Sequence, residues 1–206
     1  LYFYDYHRLE REISATKLLS LLKDILPCSL IVDENTPYFM FSLDLDSDTL
    51  IHNNVLEEIN IYIGNPSTDV SSGLNYTLSS QGLALTNLYH FYDRDSQFDD
   101  ILAKIICSAH LDLTQIDINH ILWPELLDCK TIVVANKKNN DGLYFCRVTI
   151  DVLILFLQRC DYSDTLITFC QQHRDGFSHL LFDVGIDYTM INGRIKILKS
   201  AFYGFF

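Results

Sequence analysis

Apolar and polar residues alternate with period two along several stretches of the chain, and between them the period changes to that of a helix. Leu1–Tyr6 alternates, is rich in Tyr and Phe, and predicts a strand. From Ser14 to Ile25 the stripe Leu18, Leu19, Leu22 and Ile25 predicts a helix, with Ser14 as N-cap and Pro27 just beyond its end. Tyr38–Asp46 and Glu57–Ile63 predict two strands joined through the polar segment Ser47–Asn54. Asn65–Gln81 is rich in Ser, Asn and Gly and reads as a loop, and Leu83–Tyr92 fits either strand or helix. Phe98–Cys107 and Ile116–Leu127 carry helical patterns, with Ala109–Leu113 a short strand between them.

The last third has the sharpest pattern. Lys130–Ala135 predicts a strand, Asn136–Gly142 a turn signalled by Asp141-Gly142, and Leu143–Val148 the return strand. Asp151–Gln172 predicts helix with a break near Asp161. His179–Tyr188 and Arg194–Tyr203 predict a second hairpin around Asn192-Gly193. A unit of helix, strand, tight turn and strand therefore recurs at 116–149 and 162–203, and more loosely at 14–63. Such units imply one α+β domain over residues 1–206: an antiparallel β-barrel surrounded by helices. The inside of such a barrel takes alternating aromatic and polar residues, which these strands carry.

Composition narrows the setting. The chain has 206 residues, of which 49% are hydrophobic and 20% charged, as in a globular protein. Apolar runs such as Val152–Leu157 are too short to span a bilayer, and no signal peptide opens the chain. The net charge of −12 argues against nucleic acid as a partner, and an anionic small molecule would need locally placed cations. Six cysteines (Cys28, Cys107, Cys129, Cys146, Cys160 and Cys170) form no C-x-x-C pair and read as free thiols in a reducing, cytoplasmic compartment. The seven histidines show no i, i+4 pair. The run Asp44, Asp46, Asp48 lacks the Gly and Glu of a calcium loop and reads as a strand entering a turn. Asp183 and Asp187 flank Gly185; one of them can face a lumen, and a surface or turn-proximal position is the stronger expectation. Neither a P-loop, a dinucleotide fingerprint nor a nucleophile elbow occurs.

Four short segments carry a family likeness. These are Asp117–Trp123 (DINHILW), Leu143-Tyr144-Phe145 after an Asn-rich turn, Leu166–Gln172 (LITFCQQ) and the ending GRIKILKSAFYGFF. In this order and spacing the chain resembles the cyanobactin-type peptide prenyltransferases, a branch of the ABBA prenyltransferases. The resemblance implies a ten-stranded barrel in which an allylic diphosphate, usually dimethylallyl diphosphate, ionises. The isoprene then passes to a side chain of a small, often cyclic, peptide, with magnesium helping the diphosphate to leave. Lys199 and Arg147 are the diphosphate-binding candidates, Lys199 on a strand face shared with Ala201 and Tyr203, and Arg147 one residue off the register of Tyr144. Tyr144, Tyr203, Tyr62, Tyr4 and Tyr2 are the candidates for an aromatic shield around the allylic cation. The chain also departs from the family. Asn60, Tyr62 and Gly64 stand where alternating basic residues are common, and Cys146 and Val148 where polar or basic ones are. The family's acidic catalytic residue and its arginine precede the strand with which this chain opens, so no catalytic carboxylate is carried over. Two expectations follow: a prenyltransferase chain lacking its first segment, or a relative that kept the barrel as a ligand- or peptide-binding module.

Overall fold

The computed structural model describes residues 1–45, 55–65, 71–112 and 117–204. The chain divides into two compact units, Leu1–Leu88 and Tyr89–Phe206. Both are built as antiparallel meanders in which strands adjacent in sequence are adjacent in the sheet.

The first unit opens with β1 (Tyr2–Tyr4), α1 (Ala15–Leu22), β2 (Met40–Ser42) and β3 (Ile59–Asn65). Ser14 caps α1, its side chain accepting the Lys17 N–H at 3.1 Å. One face of the sheet presents Phe3, Phe41, Ile59 and Ile61 to Ala15 and Leu19 of α1, and these residues with Tyr38 and Leu43 make the core. Phe3 stacks on Phe41 with ring centroids 4.9 Å apart. Each fully buried side chain there, such as Phe41 or Ile59, contributes about 1.5–3 kcal/mol, and Phe3 is partly buried against them.

An arginine ties the chain ahead of α1 to the loop before β2. The Arg11 side chain is only 2% exposed. It donates to Glu34 Oε2 at 2.7 Å and to the carbonyls of Glu34, Thr36 and Tyr38, and its guanidinium lies 3.5 Å from the Tyr38 ring centroid. The Tyr38 hydroxyl donates to Glu34 Oε2 at 2.6 Å and accepts the Ala15 N–H. Burial pushes the Tyr38 phenol up to about 12. Burial also raises Glu34, but hydrogen bonds from Thr16 and Tyr38 and the Arg11 charge outweigh it, leaving the carboxyl below its ordinary value.

The segment expected to be a loop at Asn65–Gln81 is, over its described residues, mostly strand. β4 (Ser71–Ser79) pairs with β3 from Ile59↔Leu78 to Asn65↔Ser72. Its Ser, Asn and Gly content masks a period of two. Leu74, Tyr76 and Leu78 lie across from Ile63, Ile61 and Ile59 on the apolar face, while Gly73, Asn75 and Thr77 line the other. β5 (Gly82–Asp93) resolves the ambiguous stretch as strand, with Gly82–Leu88 in the first unit and Tyr89–Asp93 in the second.

In the second unit α2 (Phe98–Ile106) follows. The helix expected at 116–127 is instead two short 3-10 turns, Ile118–His120 and Pro124–Leu127, because Pro124 cannot continue a helix through its own missing N–H. Ala109–Asp112 is not strand, and Leu113 and Ile116 lie outside the described residues. Then come β6 (Thr131–Lys137), β7 (Asp141–Val148), α3 (Ile150–Arg159), α4 (Asp164–Gln172), α5 (Arg174–Phe177), β8 (Phe182–Ile191) and β9 (Arg194–Gly204). Thr149 and Ser163 cap α3 and α4, and Asp161 between them takes a positive φ of 56°. Asp141-Gly142 is not the turn of the β6–β7 hairpin. Both residues are paired in β7, so the turn is confined to 138–140. Asn192 and Gly193 do form the β8–β9 turn, with φ of 53° and 74° as a primed two-residue turn requires.

One face of this sheet carries Ile132, Val134, Leu143, Phe145, Val184, Ile186 and Tyr188, all buried. Tyr162, between α3 and α4, covers it, meeting Phe202 edge-on at 5.8 Å and Ser200 by a hydrogen bond of 3.2 Å. An antiparallel α+β architecture is therefore shown. No helix is long and apolar enough to cross a membrane among the described residues.

Candidate functional site

The opposite face of the second unit's sheet gathers the polar groups. Cross-strand pairing places Ala135, Gly142, Asp187 and Lys199 in one row and Val133, Tyr144, Gly185 and Ala201 in the next. Side chains directly opposite in an antiparallel pair share a face, so Tyr144, Asp187, Lys199 and Tyr203 project to the same side.

At the centre is a three-residue cluster. Lys137 Nζ donates to Tyr144 Oη at 2.9 Å and to the two Asp187 oxygens at 2.6 and 2.7 Å. The Tyr144 hydroxyl reaches Asp187 Oδ1 at 3.3 Å. The Lys137 and Asp187 side chains are 14% and 16% exposed, so their attraction is weakly screened. Lys137 Nζ also lies 5.5 Å from the Tyr144 ring centroid, and the Tyr89 ring is tilted toward that ring at 6.2 Å.

Two glycines make the floor. A Cβ at Gly185 would lie 2.3 Å from Tyr144 Cδ1, and one at Gly142 would lie 2.8 Å from Asp187 Oδ1. The Tyr144 ring therefore rests directly on the backbone of β8, its hydroxyl fixed by a cation and a carboxylate. This gives a tyrosine face whose position is set from beneath and from the side.

A β-bulge adjoins the cluster. Phe145 pairs with Val184 and Val148 with Phe182, so Cys146 and Arg147 together oppose Asp183. Arg147 has a φ of 65° and gives its backbone N–H to Asp183 Oδ1 at 2.8 Å. Its side chain is exposed. Strict alternation would set Arg147 on the helix-packed face, and the bulge puts it across from Asp183 instead. Burial raises the Asp183 carboxyl above its ordinary value, against the opposing pull of the Arg147 N–H and charge. Burial likewise pushes up the Cys146 thiol, which is therefore a poor nucleophile. Tyr203 is paired with Asp183 and is half-buried.

The remaining shield candidates lie together in the first unit. Tyr4 is paired with Met40, and Met40 with Tyr62, on the face turned away from α1. The Tyr2 and Tyr62 rings are 6.4 Å apart, and the Tyr62 hydroxyl shares a hydrogen bond of 3.3 Å with Ser42 Oγ. Tyr62 is buried, whereas Tyr2 and Tyr4 are exposed. Beside them runs a ladder of neutral groups. Thr77 donates to Asn60 Oδ1 at 3.0 Å, and Asn75 Oδ1 accepts from Thr86 at 2.7 Å and Asn87 at 2.9 Å. No lysine or arginine stands in the paired positions of β3 and β4.

Of the three residues in the cluster the sequence names Tyr144 as a site candidate, and Lys199 is set on the strand beside it, whereas Lys137 is not named. It is assigned to the turn NKKNNDG because Asp141-Gly142 resembles a hairpin signal. The available clue is that Gly142 and Gly185 are glycines within strand patterns, since an interior strand glycine marks a close approach. Among the described residues no group of three His, Cys, Asp or Glu is placed to hold a metal ion. Asp187 is committed to Lys137. These donors do not fit a magnesium site held by the protein.

No family model, curated protein or solved structure matches this chain. The likeness to the peptide prenyltransferases thus rests on the four short segments of sequence that carry it.

Proposed function

We propose that the tyrosine face around Tyr144 holds an allylic diphosphate, and that the chain is a relative of the ABBA peptide prenyltransferases that passes the isoprene to a peptide side chain. The observation that carries this reading is the seat of Tyr144: a ring fixed on Gly185, with Lys137 at its hydroxyl and Lys199 across from Asp187. A fixed, electron-rich ring attracts an allylic cation through its quadrupole. The exposed Lys199 and Arg147 would meet the diphosphate as its bond to the allylic carbon breaks and it leaves with the electron pair. The acceptor atom of the peptide then bonds that carbon and gives its proton to the departed diphosphate or to water. Any magnesium arrives as the diphosphate's own counter-ion. The closed barrel implied by the resemblance belongs to this proposal, as does the cytoplasmic setting.

A second reading, a binding module without turnover, has one specific observation in its favour. Asp187 already neutralises Lys137, and the first unit's sheet carries amides and hydroxyls where the family commonly has basic residues. Fewer cations hold the diphosphate, and each missing charge-assisted hydrogen bond weakens its binding by about 1.5–3 kcal/mol.

The test is calorimetric titration with a non-hydrolysable dimethylallyl diphosphate analogue, magnesium present, for the wild-type chain and Lys199→Ala. Saturable binding weakened about tenfold or more by the substitution supports a diphosphate-holding face. Absence of binding in the wild-type chain refutes it. Mass spectrometry of a tyrosine-containing cyclic peptide after incubation with the true diphosphate separates the enzyme from the binding module.

A further inference from the structure

We propose that the outer edge of β9 captures an extended acidic peptide segment by strand pairing. β9 runs from Arg194 to Gly204 and, among the described strands, is hydrogen-bonded to β8 alone. Its other edge presents a row of backbone N–H and C=O groups, a template for a further strand. Edge capture uses Arg194 and Lys196, which take no part in the diphosphate reading, and it requires a sheet that does not close through β9.

Charge gives the partner its chemistry. β9 carries Arg194, Lys196, Lys199 and no acidic residue, in a chain of net charge −12. Strict alternation would divide Lys196 and Lys199 between the two faces. The register shift between Asp187 and Tyr188 changes that: Asp187 pairs with Lys199 and Tyr188 with Ile197, leaving Leu198 as the extra residue. Lys196 pairs with Thr189 and Arg194 with Ile191, so all three cations fall on the face of Asp187. Ile197 and Leu198 beside them remain 38% and 47% exposed. An edge flanked by a one-sided row of cations and by apolar side chains in water suits a strand that alternates acidic and apolar residues. A second copy of this chain suits it poorly, because two-fold antiparallel pairing of β9 with itself gathers both copies of Arg194, Lys196 and Lys199 along one ladder with no acidic residue to offset them.

Lysines and bulges also serve to keep an edge strand unpaired, and binding separates the two roles. The probe is a dye-labelled, strand-length peptide of alternating Glu and Val, followed by fluorescence anisotropy. It is compared with a Lys–Val peptide of equal length and with a Glu–Val peptide whose amides are N-methylated on alternate residues. The expected result is saturable binding of the Glu–Val peptide alone, weakened about tenfold or more in an R194E/K196E variant. Urea denaturation of that variant checks that it folds, and Lys199 is left intact so that the diphosphate reading is judged separately. Three results would each overturn the proposal. They are absence of binding by the Glu–Val peptide, equal binding of the N-methylated peptide, and a wild-type dimer in sedimentation that the variant loses.

Discussion

The strands of the two units solve the same problem with different polar chemistry. Each unit has one apolar face against helix and one polar face bearing tyrosines. In the first unit the polar face is neutral: Asn60, Thr77, Asn75, Thr86 and Asn87 satisfy one another, and Tyr62 meets Ser42. Among its described residues the Arg11 charge is deeply held, but it lies apart from that face, ahead of α1 and bonded to the loop before β2. In the second unit the charge is on the face itself, as Lys137 and Asp187 around Tyr144. A buried ion pair set as a brace and one set at a ring with glycines beneath have different uses. The first fixes a loop, and the second fixes a tyrosine face. That difference favours the second unit as the one that holds a ligand.

The contrast can be broken most forcefully at the brace. Arg11→Ala leaves Glu34 without its cation and strips three carbonyls of a donor, and about 3–5 kcal/mol of stability is expected to disappear in urea denaturation. Arg11→Lys restores little, since an ammonium cannot make the forked hydrogen bonds or lie flat over Tyr38. Next in size is the floor. Gly185→Ala drives a methyl into the Tyr144 ring and is expected to cost about 1–3 kcal/mol, with much of the loss removed in a Gly185→Ala, Tyr144→Ala double variant. Strictly additive losses would mean that the ring does not rest on Gly185.

Smaller again is the pair at the ring. Lys137→Met strands a partly buried carboxylate and is expected to cost about 1–3 kcal/mol, whereas adding Asp187→Asn returns most of it. The smallest effect is in pH. Asp183 holds its proton more tightly when folded than when unfolded, so the native state binds more protons in the window above the ordinary aspartate value. Stability contributed by this group therefore falls as pH rises through that window. Asp183→Asn, which keeps an oxygen for the Arg147 N–H, is expected to gain on the wild type as pH rises and to lose that advantage in acid. Parallel stability curves for the two proteins would contradict it.

Hairpins with a clear period of two are legible in the sequence: Asn192-Gly193 turns where its chemistry says, and Ser14 caps where its position says. The helix break at Asp161 is legible too, since polar residues interrupt the apolar stripe there. β4 is not, because its Ser, Asn and Gly content hides the alternation, and GLNYTL alternates clearly only once its partner Ile59–Ile63 is known. The cluster at Tyr144 is half legible. A tyrosine on a strand can be read from one segment, but Lys137 and Asp187 come from different hairpins and meet only through register. Bulges are the hardest feature to read. A single extra residue at Cys146–Arg147 or at Leu198 changes which face every later side chain joins, and nothing local in those residues announces it.

The central claim is that the ligand face is the glycine-floored side of β6–β9, with Tyr144 as its fixed ring. Ring-labelled tyrosine, observed by NMR during titration with the allylic diphosphate analogue, tests it directly. The Tyr144 signal, assigned from a Tyr144→Phe variant, is expected to shift and saturate with the ligand, while Tyr188 on the helix-packed face stays in place. A Tyr144 signal that does not move at saturating ligand would contradict it.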